Sequence, residues 1–516
     1  MSKVSIIKKI WRKNSPIFLW QISGIFPSNP FFKPTDPWIG NKARGKTLFL
    51  NHPLSISEEY WNNFDWLRDL KESENYNYRK RGRELYLDWI SKNYKWNENS
   101  WSPTILSNRL TNILLCYKNF AETADDDFQD NLMNHFARQS RCLEIDCEMI
   151  KNIQEKFICL CGLLAGRIGL TEIEDEIKII LEKVTQNSEL LINRDGMHVS
   201  RQPQKHFQVL KKLIEVRNLS SNFKSSYGEK LNSIINKMIL SGKIIRHSNG
   251  LIADFNNGCN YESFLIDQIF NKFKSSSILN KFSEDGYINV KSKNSNFIFD
   301  CGPPETNWVN FHSGTLSFEF CYAKQMIIIN CGSIINDEKW TNSLKGTSAH
   351  STINIDNFNS TSVVENNNRI ANIIKKSAGK TESGFFVEAS HDGYSKSHGI
   401  MHQRRLEINN NGNSLNGIDN LIYMDGFSKI PLEANVCFHL SPKIKVSKVL
   451  GGDVLLRLPN KEGWFFRTNL NMVYLENSVK VENLNIQKTK QIIVTIPLLD
   501  LKNRGSKSFE WKLFKN

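Results

Sequence analysis

Two hydrophobic periods divide the chain. From about residue 55 to 275, apolar positions recur every three or four residues. Trp61, Phe64, Leu67 and Leu70 form one such stripe, and Ile153, Phe157, Leu160 and Leu164 form another. A third runs through Phe207, Leu210 and Leu213 or Ile214, with Arg217 on its edge. Each stripe predicts an amphipathic helix that needs a neighbour to cover it. Several in succession, with no strands between them, predict a bundle, solenoid or toroid.

From about residue 285 the period becomes two. Leu316, Phe318, Phe320 and Tyr322 alternate with their neighbours along one predicted strand. Short apolar runs ending at Asn330, Asp356, Leu440, Pro459 and Pro497 follow. They are separated by turns such as Asn410-Asn411-Gly412 and Gly451-Gly452-Asp453. Many short strands at this spacing predict a large antiparallel sandwich. The polar stretch from Lys281 to Asn296 is read as the junction. The expected organisation is an N-terminal segment over 1–50, a helical domain over 51–280 and a β-sandwich domain over 285–516.

A chain of 516 residues exceeds one compact core, which agrees with more than one domain. With 40% hydrophobic and 23% charged residues it has the composition of a folded protein. The net charge of +14 steers polyanions toward it, whether acidic glycan, nucleic acid or anionic membrane. Lysine spread over an ordinary surface gives the same figure, so charge selects no partner. None of the ten cysteines is spaced as CxxC, and most lie in apolar runs, as Cys159, Cys161, Cys321 and Cys437 do. They read as small buried residues, with neither a disulfide framework nor a zinc knuckle. No apolar run reaches the roughly 18 residues that span a bilayer. The basic, then apolar N-terminus is interrupted by Gln21 and has no clean cleavage site, so it reads equally as a packed amphipathic segment.

Three segments, Leu191 to Pro203, Phe311 to Glu319 and Gly346 to Thr352, resemble the heparinase II/III-like family. Leu191 to Pro203 carries Asp195-Gly196-Met197-His198 and resembles that family's DG-x-H-x-x-x-P element. Phe311 to Glu319 resembles its H-x-D/G-x-L-S-F strand, and Gly346 to Thr352 its H-N/S-T strand entry. His391-Asp392-Gly393-Tyr394, followed by His402 to Leu406, is similar to a bacterial subgroup. The resemblance spans about residues 40 to 510. It implies an (α/α) toroid followed by a large antiparallel β-sandwich, with substrate in the cleft between them. It also implies a polysaccharide lyase acting on glycosaminoglycans or polyuronates in the cell envelope or periplasm, with the cytoplasm left open.

Elimination at a uronic acid needs a neutraliser for the carboxylate, a base, and an acid for the leaving oxygen. His198 is the candidate neutraliser or base, ahead of a helix expected to open at Pro203 with Ser200 as its cap. Arg201 adds charge there as a substrate-binding candidate. The bland alternative is a simple Asp195-Gly196 turn in which His198 packs locally. His312 and His350 match positions at which some family members hold zinc. The third ligand there is Asp, and the matching residue here is Asn330, with the Cys331 thiolate as a substitute ligand. Two strand histidines are otherwise common as hydrogen-bonded core residues.

Asn310 stands where some relatives carry a catalytic His, and is a substrate-binding candidate. Tyr261 is the nearest match to the family's toroid tyrosine. His391 and Tyr394, expected in a turn, are a replacement pair for proton transfer, or else a hairpin with a packed Tyr. Arg109 would line the toroid mouth or bridge two helices. The basic run Tyr78 to Arg83 would touch a polyanion or be a solvated helix start.

Three functions compete. One is a lyase cleaving a uronate-containing acidic glycan, and the second a glycan-binding envelope protein that has lost part of that machinery. The third, nucleic-acid binding, rests on charge alone and lacks an RNP-like strand, a zinc finger or a concentrated basic helix.

Overall fold

A computed structural model describes residues 13–50, 57–73, 75–223, 226–258, 263–273, 280–283, 286–307, 311–334, 337–363, 368–424, 431–483 and 485–515. The chain separates into two compact units. One comprises Met1–Leu191 with Gln208–Asn236, the other Ile192–Phe207 with Lys237–Asn516.

The first unit is helical. Its elements run α1 (Pro16–Ile22), α2 (Lys42–Leu50), α3 (Glu58–Asn62), α4 (Trp66–Lys71), α5 (Tyr76–Asn93), α6 (Glu98–Trp101), α7 (Pro103–Phe120), α8 (Asp126–Met149), α9 (Ile153–Leu170) and α10 (Glu174–Glu189). Local chemistry sets the helix starts. Pro103 opens α7 where no N–H is needed, and the side chains of Asp125 and Asn152 accept first-turn amides of α8 and α9. Helices α7 and α9 meet where Gly162 leaves no room, since a Cβ there would lie 2.4 Å from the Cα of Ser107. Later helices are α11 (Pro203–Leu219), α12 (Ser226–Ile244) and α13 (Ser263–Lys272).

The strands of the second unit are β1 (Tyr287–Ser292), β2 (Ser295–Asp300), β3 (Phe318–Tyr322), β4 (Gln325–Ile329), β5 (Ile353–Ile355), β6 (Ile373–Lys380), β7 (Gly384–Tyr394) and β8 (Ile400–Asn409). They continue as β9 (Ser414–Tyr423), β10 (Glu433–Leu440), β11 (Lys445–Lys448), β12 (Val454–Arg457), β13 (Gly463–Thr468), β14 (Val473–Glu482), β15 (Asn485–Pro497) and β16 (Ser506–Lys515). One sheet has the order β1-β2-β3-β4-β10-β15-β14, with β5 also on β10. The other has the order β11-β12-β13-β16-β9-β8-β7-β6. One core joins them: Phe297, Phe318 and Phe438 of the first sheet pack with Leu406, Trp464 and Trp511 of the second. Helices followed by two antiparallel sheets in a sandwich are the architecture the two periods predict.

Several local expectations are corrected. The stripe Trp61–Leu70 is two helices, because Phe64 adopts φ 62° and breaks the chain between α3 and α4. The polar junction holds the first hairpin: β1 and β2 pair from Tyr287↔Asp300 to Ser292↔Ser295. Their polar residues hid the strands because Asn289 and Asn296 are buried with partners rather than solvated. Leu316 sits at φ 61° before β3, not within it. His391 to Tyr394 is the end of β7, not a free turn. A bulge there, between His391↔His402 and Tyr394↔Ile400, breaks the period of two that would have marked a strand. The nine described cysteines are buried free thiols.

Candidate active site

The site is built from the second unit alone. Residues 192–198 form a tight antiparallel turn in which Asn193 N–H donates to Met197 O at 2.9 Å and Ile192 bridges His198. Gly196 makes it possible: its φ is +93°, and a Cβ would lie 2.5 Å from the Lys237 carbonyl carbon. The same turn recurs at Arg246–Ile252, with His247 N–H on Leu251 O at 2.8 Å and Gly250 at φ 91°. One turn carries His198 and the other carries His247. The second was missed in the sequence, although Asn249-Gly250 repeats the Asp195-Gly196 signal.

His198 is fully buried. Its Nδ1 accepts the Ser200 amide at 3.1 Å and lies 2.8 Å from Ser200 Oγ, which places its ring proton on Nε2. Ser200 also accepts the Gln202 amide at 3.2 Å. Burial, with His206 and Lys205 nearby, holds His198 down at about 3. Arg201 sits at φ 55° and is anchored inward. It pairs with Asp300, donates to Pro303 O at 2.6 Å and lies 4.5 Å from the centre of the Tyr287 ring.

His247 leads into a buried charged cluster. Asn296 donates to its Nδ1 at 3.2 Å, so Nε2 carries the proton and donates to Glu319 at 2.9 Å. The other Glu319 oxygen accepts the amides of Asp254 at 3.2 Å and Asn330 at 3.1 Å. Burial raises the Glu319 carboxyl, but His247, Lys480 and the Asn330 amide together outweigh it and the net shift is downward. Asp254 is paired with Lys480, which also donates to Asn330 O at 3.0 Å. Burial still raises the Asp254 carboxyl to about 6, against the pull of Lys480. Asn256 and Asn257, at φ 45° and 67°, store backbone strain beside this cluster.

The two strand-entry histidines meet. His350 Nδ1 donates to Gly346 O at 2.8 Å, so its Nε2 accepts from His312 Nδ1 at 3.1 Å. That leaves His312 Nε2 with its lone pair, buried and without a hydrogen-bond partner among the described residues. Burial, then His350 and Lys345, holds His312 well below its ordinary value, in the neutral form. His439 stands beyond, donating from Nε2 to Ser348 O at 3.0 Å and accepting Ser478 Oγ at 2.7 Å.

This donor set does not fit a resident zinc ion. The imidazoles bond to each other, and Asn330 Oδ1 already accepts the Ser351 amide at 2.9 Å. Burial pushes the Cys331 thiol up to about 11, and its Sγ lies 3.5 Å from His439 Nδ1 rather than facing the His312–His350 pair. Among the described residues no group of three or more His, Cys, Asp or Glu is placed to hold a metal.

His391 belongs to a different cluster. Gly393 N–H donates to its Nδ1 at 3.0 Å, and its Nε2 faces His402 Nδ1 at 3.3 Å. His402 Nε2 then donates to Asp419 at 2.8 Å. Asp419 also accepts Arg404 at 2.7 Å and Trp511 at 3.0 Å. Tyr394 is buried and gives its hydroxyl proton to Ile353 O at 2.8 Å. In the helical unit Arg109 is fully buried too, donating to Gln139, Asn62 O and Ser100 O at 2.8, 2.8 and 2.7 Å. Burial lowers it to about 9. Tyr261 and Asn310 lie outside the described residues.

Residues 275–512 match the family model described as heparinase II/III-like, C-terminal. FtsZ-localized protein C of Caulobacter vibrioides is 25% identical over 482 residues, covering 88% of this chain and 81% of that protein. Among solved structures, a heparinase III superposes with a TM-score of 0.69 at 12% identity, covering 90% of this chain and 79% of that one. Heparan sulfate lyase HepC of Pedobacter heparinus gives 0.62 at 14% identity, covering 90% and 78%. At these identities the superpositions establish the fold alone, an (α/α) toroid with a β-sandwich. Residues 275–512 thus match the heparinase II/III-like C-terminal domain model, in a chain that has the heparinase III fold.

Proposed function

We propose that the protein binds a uronate-containing acidic polysaccharide on a lyase scaffold, and that binding rather than β-elimination is its role. The observation that supports this is the state of the candidate proton carriers. His198, His391 and Tyr394 are buried, and each is engaged by protein atoms at bonding distance. The net charge of +14 favours an acidic glycan. The lyases similar in fold are named for heparin-type glycans, which suggests the class of polymer. The cell envelope is where such a polymer would be met. A position beside FtsZ, as in the name of the Caulobacter relative, is the alternative.

One observation favours the lyase reading: the buried lone pair on His312 Nε2, a neutral base in the order of elements that carries the family's motifs. The deciding experiment follows absorbance at the unsaturated-uronate band over a panel of acidic glycans, with binding measured in parallel. Binding without a rise is expected. A rise that His312→Gln abolishes while binding persists would establish β-elimination instead, and no binding to any acidic glycan would overturn both readings.

A further inference from the structure

The basic run from Tyr78 to Arg83 has a structural outcome of its own, independent of the proposed function. It opens α5, and its charges are not equivalent. Arg81 is turned to Glu84 at 3.2 Å and to Leu48 O at 3.4 Å. Arg83 donates to Phe120 O at 2.7 Å and to Thr123 at 2.8 Å. Among the described residues the Arg79 side chain has neither kind of partner. It lines a cavity of about 280 Å³ between α4, α5 and the end of α7, together with Lys71, Asn75, Lys118 and Asn119. Arg79 Nε is buried and has no hydrogen-bond partner among the described residues. Such a donor costs stability unless something accepts from it.

The electrostatic balance inside the cavity is one-sided. Lys71 is compensated by Asp36 at 2.9 Å and lies 3.9 Å from Glu72. Arg79 and Lys118 line the same space, and among the described residues neither has an ion pair and no acidic residue lines it. Its volume is just under the roughly 300–1,000 Å³ of pockets that bury drug-sized ligands, which suits a group of about one sugar ring.

Gly82 supplies a second, independent sign. A glycine inside an 18-residue helix costs about 1 kcal/mol relative to alanine. Packing does not demand it, because a Cβ there would meet Leu70 Cδ1 at 3.7 Å and Phe120 Cβ at 3.8 Å, ordinary contact distances. Gly82 lies on the cavity wall, where a side chain longer than a methyl would occupy the space.

We propose that this cavity of the helical unit binds an oxyanion, a carboxylate, sulfate or phosphate, carried on a group of about monosaccharide size, with Arg79 and Lys118 as its charged contacts. Arg79 supplies a forked donor to paired oxygens, and Lys118 a point charge. The asparagines at the rim offer neutral hydrogen bonds to hydroxyls of the same ligand.

The test is calorimetric titration of the full chain with sodium glucuronate, inorganic sulfate, inorganic phosphate and neutral glucose. Binding of at least one anion, weakened by salt, is expected, with glucose silent. Glucuronate alone would identify a uronate as the source; sulfate or phosphate would identify the ester. The double variant R79Q/K118Q should weaken binding by roughly tenfold or more, the loss of a charge-assisted contact. Gly82→Leu should abolish binding by filling the space while leaving every charge in place, and Gly82→Ala should keep the fold and most of the affinity. No anion bound by the wild type, equal binding of glucose, or undiminished binding by R79Q/K118Q would each overturn the proposal. Neither outcome bears on β-elimination, so this test and that of the proposed function fail separately.

Discussion

Lowering the pH to about 5 should destabilise the sandwich unit through its buried histidines. Burial holds His198 and His439 at about 3, and His206 and His350 at about 4, all below their ordinary 6.5. In the unfolded chain these rings take up protons near 6.5, and in the folded chain they do not. Their contribution is therefore complete above pH 6.5 and is lost as the pH falls below it, until the folded values are reached. At pH 5.0 each such ring costs about 2 kcal/mol, so these four together cost about 8 kcal/mol. Asp254 acts in the opposite direction. Its carboxyl is raised to about 6, so acid favours the folded state by about 1 kcal/mol at that one position. The net loss of about 7 kcal/mol between pH 7.5 and 5.0 is comparable with the whole stability of a typical domain, about 5–15 kcal/mol. Hydrogen exchange resolved to β7–β10 peptides, corrected for intrinsic exchange at each pH, reads this unit separately from the helical one. A fall of less than about 2 kcal/mol, the worth of one histidine, would refute the reasoning.

Three further outcomes follow from particular contacts. Arg404→Met removes the guanidinium that holds Asp419 and donates to Leu316 O and Ser351 O. It should cost about 3–5 kcal/mol in chemical denaturation, because a buried carboxylate loses its charge partner. Gly417→Ala puts a Cβ 2.0 Å from Trp511 Cε2, inside the core between β9 and β16. Its thermal midpoint should fall by an amount matching at least 1–3 kcal/mol, roughly the cost of overpacking. Asn330→Asp supplies a carboxylate but leaves the His312–His350 hydrogen bond and the Ser351 amide in place. By equilibrium dialysis neither the wild type nor the variant should retain stoichiometric zinc, and stoichiometric uptake by either would refute the donor-set argument.

The order of helices and strands was legible because each period survives burial on one face only. It failed where the period was interrupted or concealed. The recurrence from Trp61 to Leu70 runs straight through a residue at positive φ, which no hydrophobic pattern records. The first hairpin was concealed because all six residues of β2 are buried, so no polar-out alternation marks it. The strand-entry motifs did locate a meeting point, since His312 and His350 are 38 residues apart and 3.1 Å from each other. Asp254 and Lys480 are 226 residues apart, and nothing in either local sequence announces their pairing. His247 was within reach, because the Asn249-Gly250 turn repeats the geometry of Asp195-Gly196.

The sandwich sheet that runs from β11 to β6 ends on lysine at both margins. Lys375, Lys376 and Lys380 project from β6, and Lys445 and Lys448 from β11, all exposed. An unpaired strand margin is a template on which another chain can add itself, and repeated ammonium groups make that addition unfavourable. Part of the positive charge that first suggests a polyanionic ligand is thus a safeguard of solubility. Neutralising those lysines, by acetylation or by mutation to glutamine, should leave ligand affinity intact and shorten the life of the protein in concentrated solution.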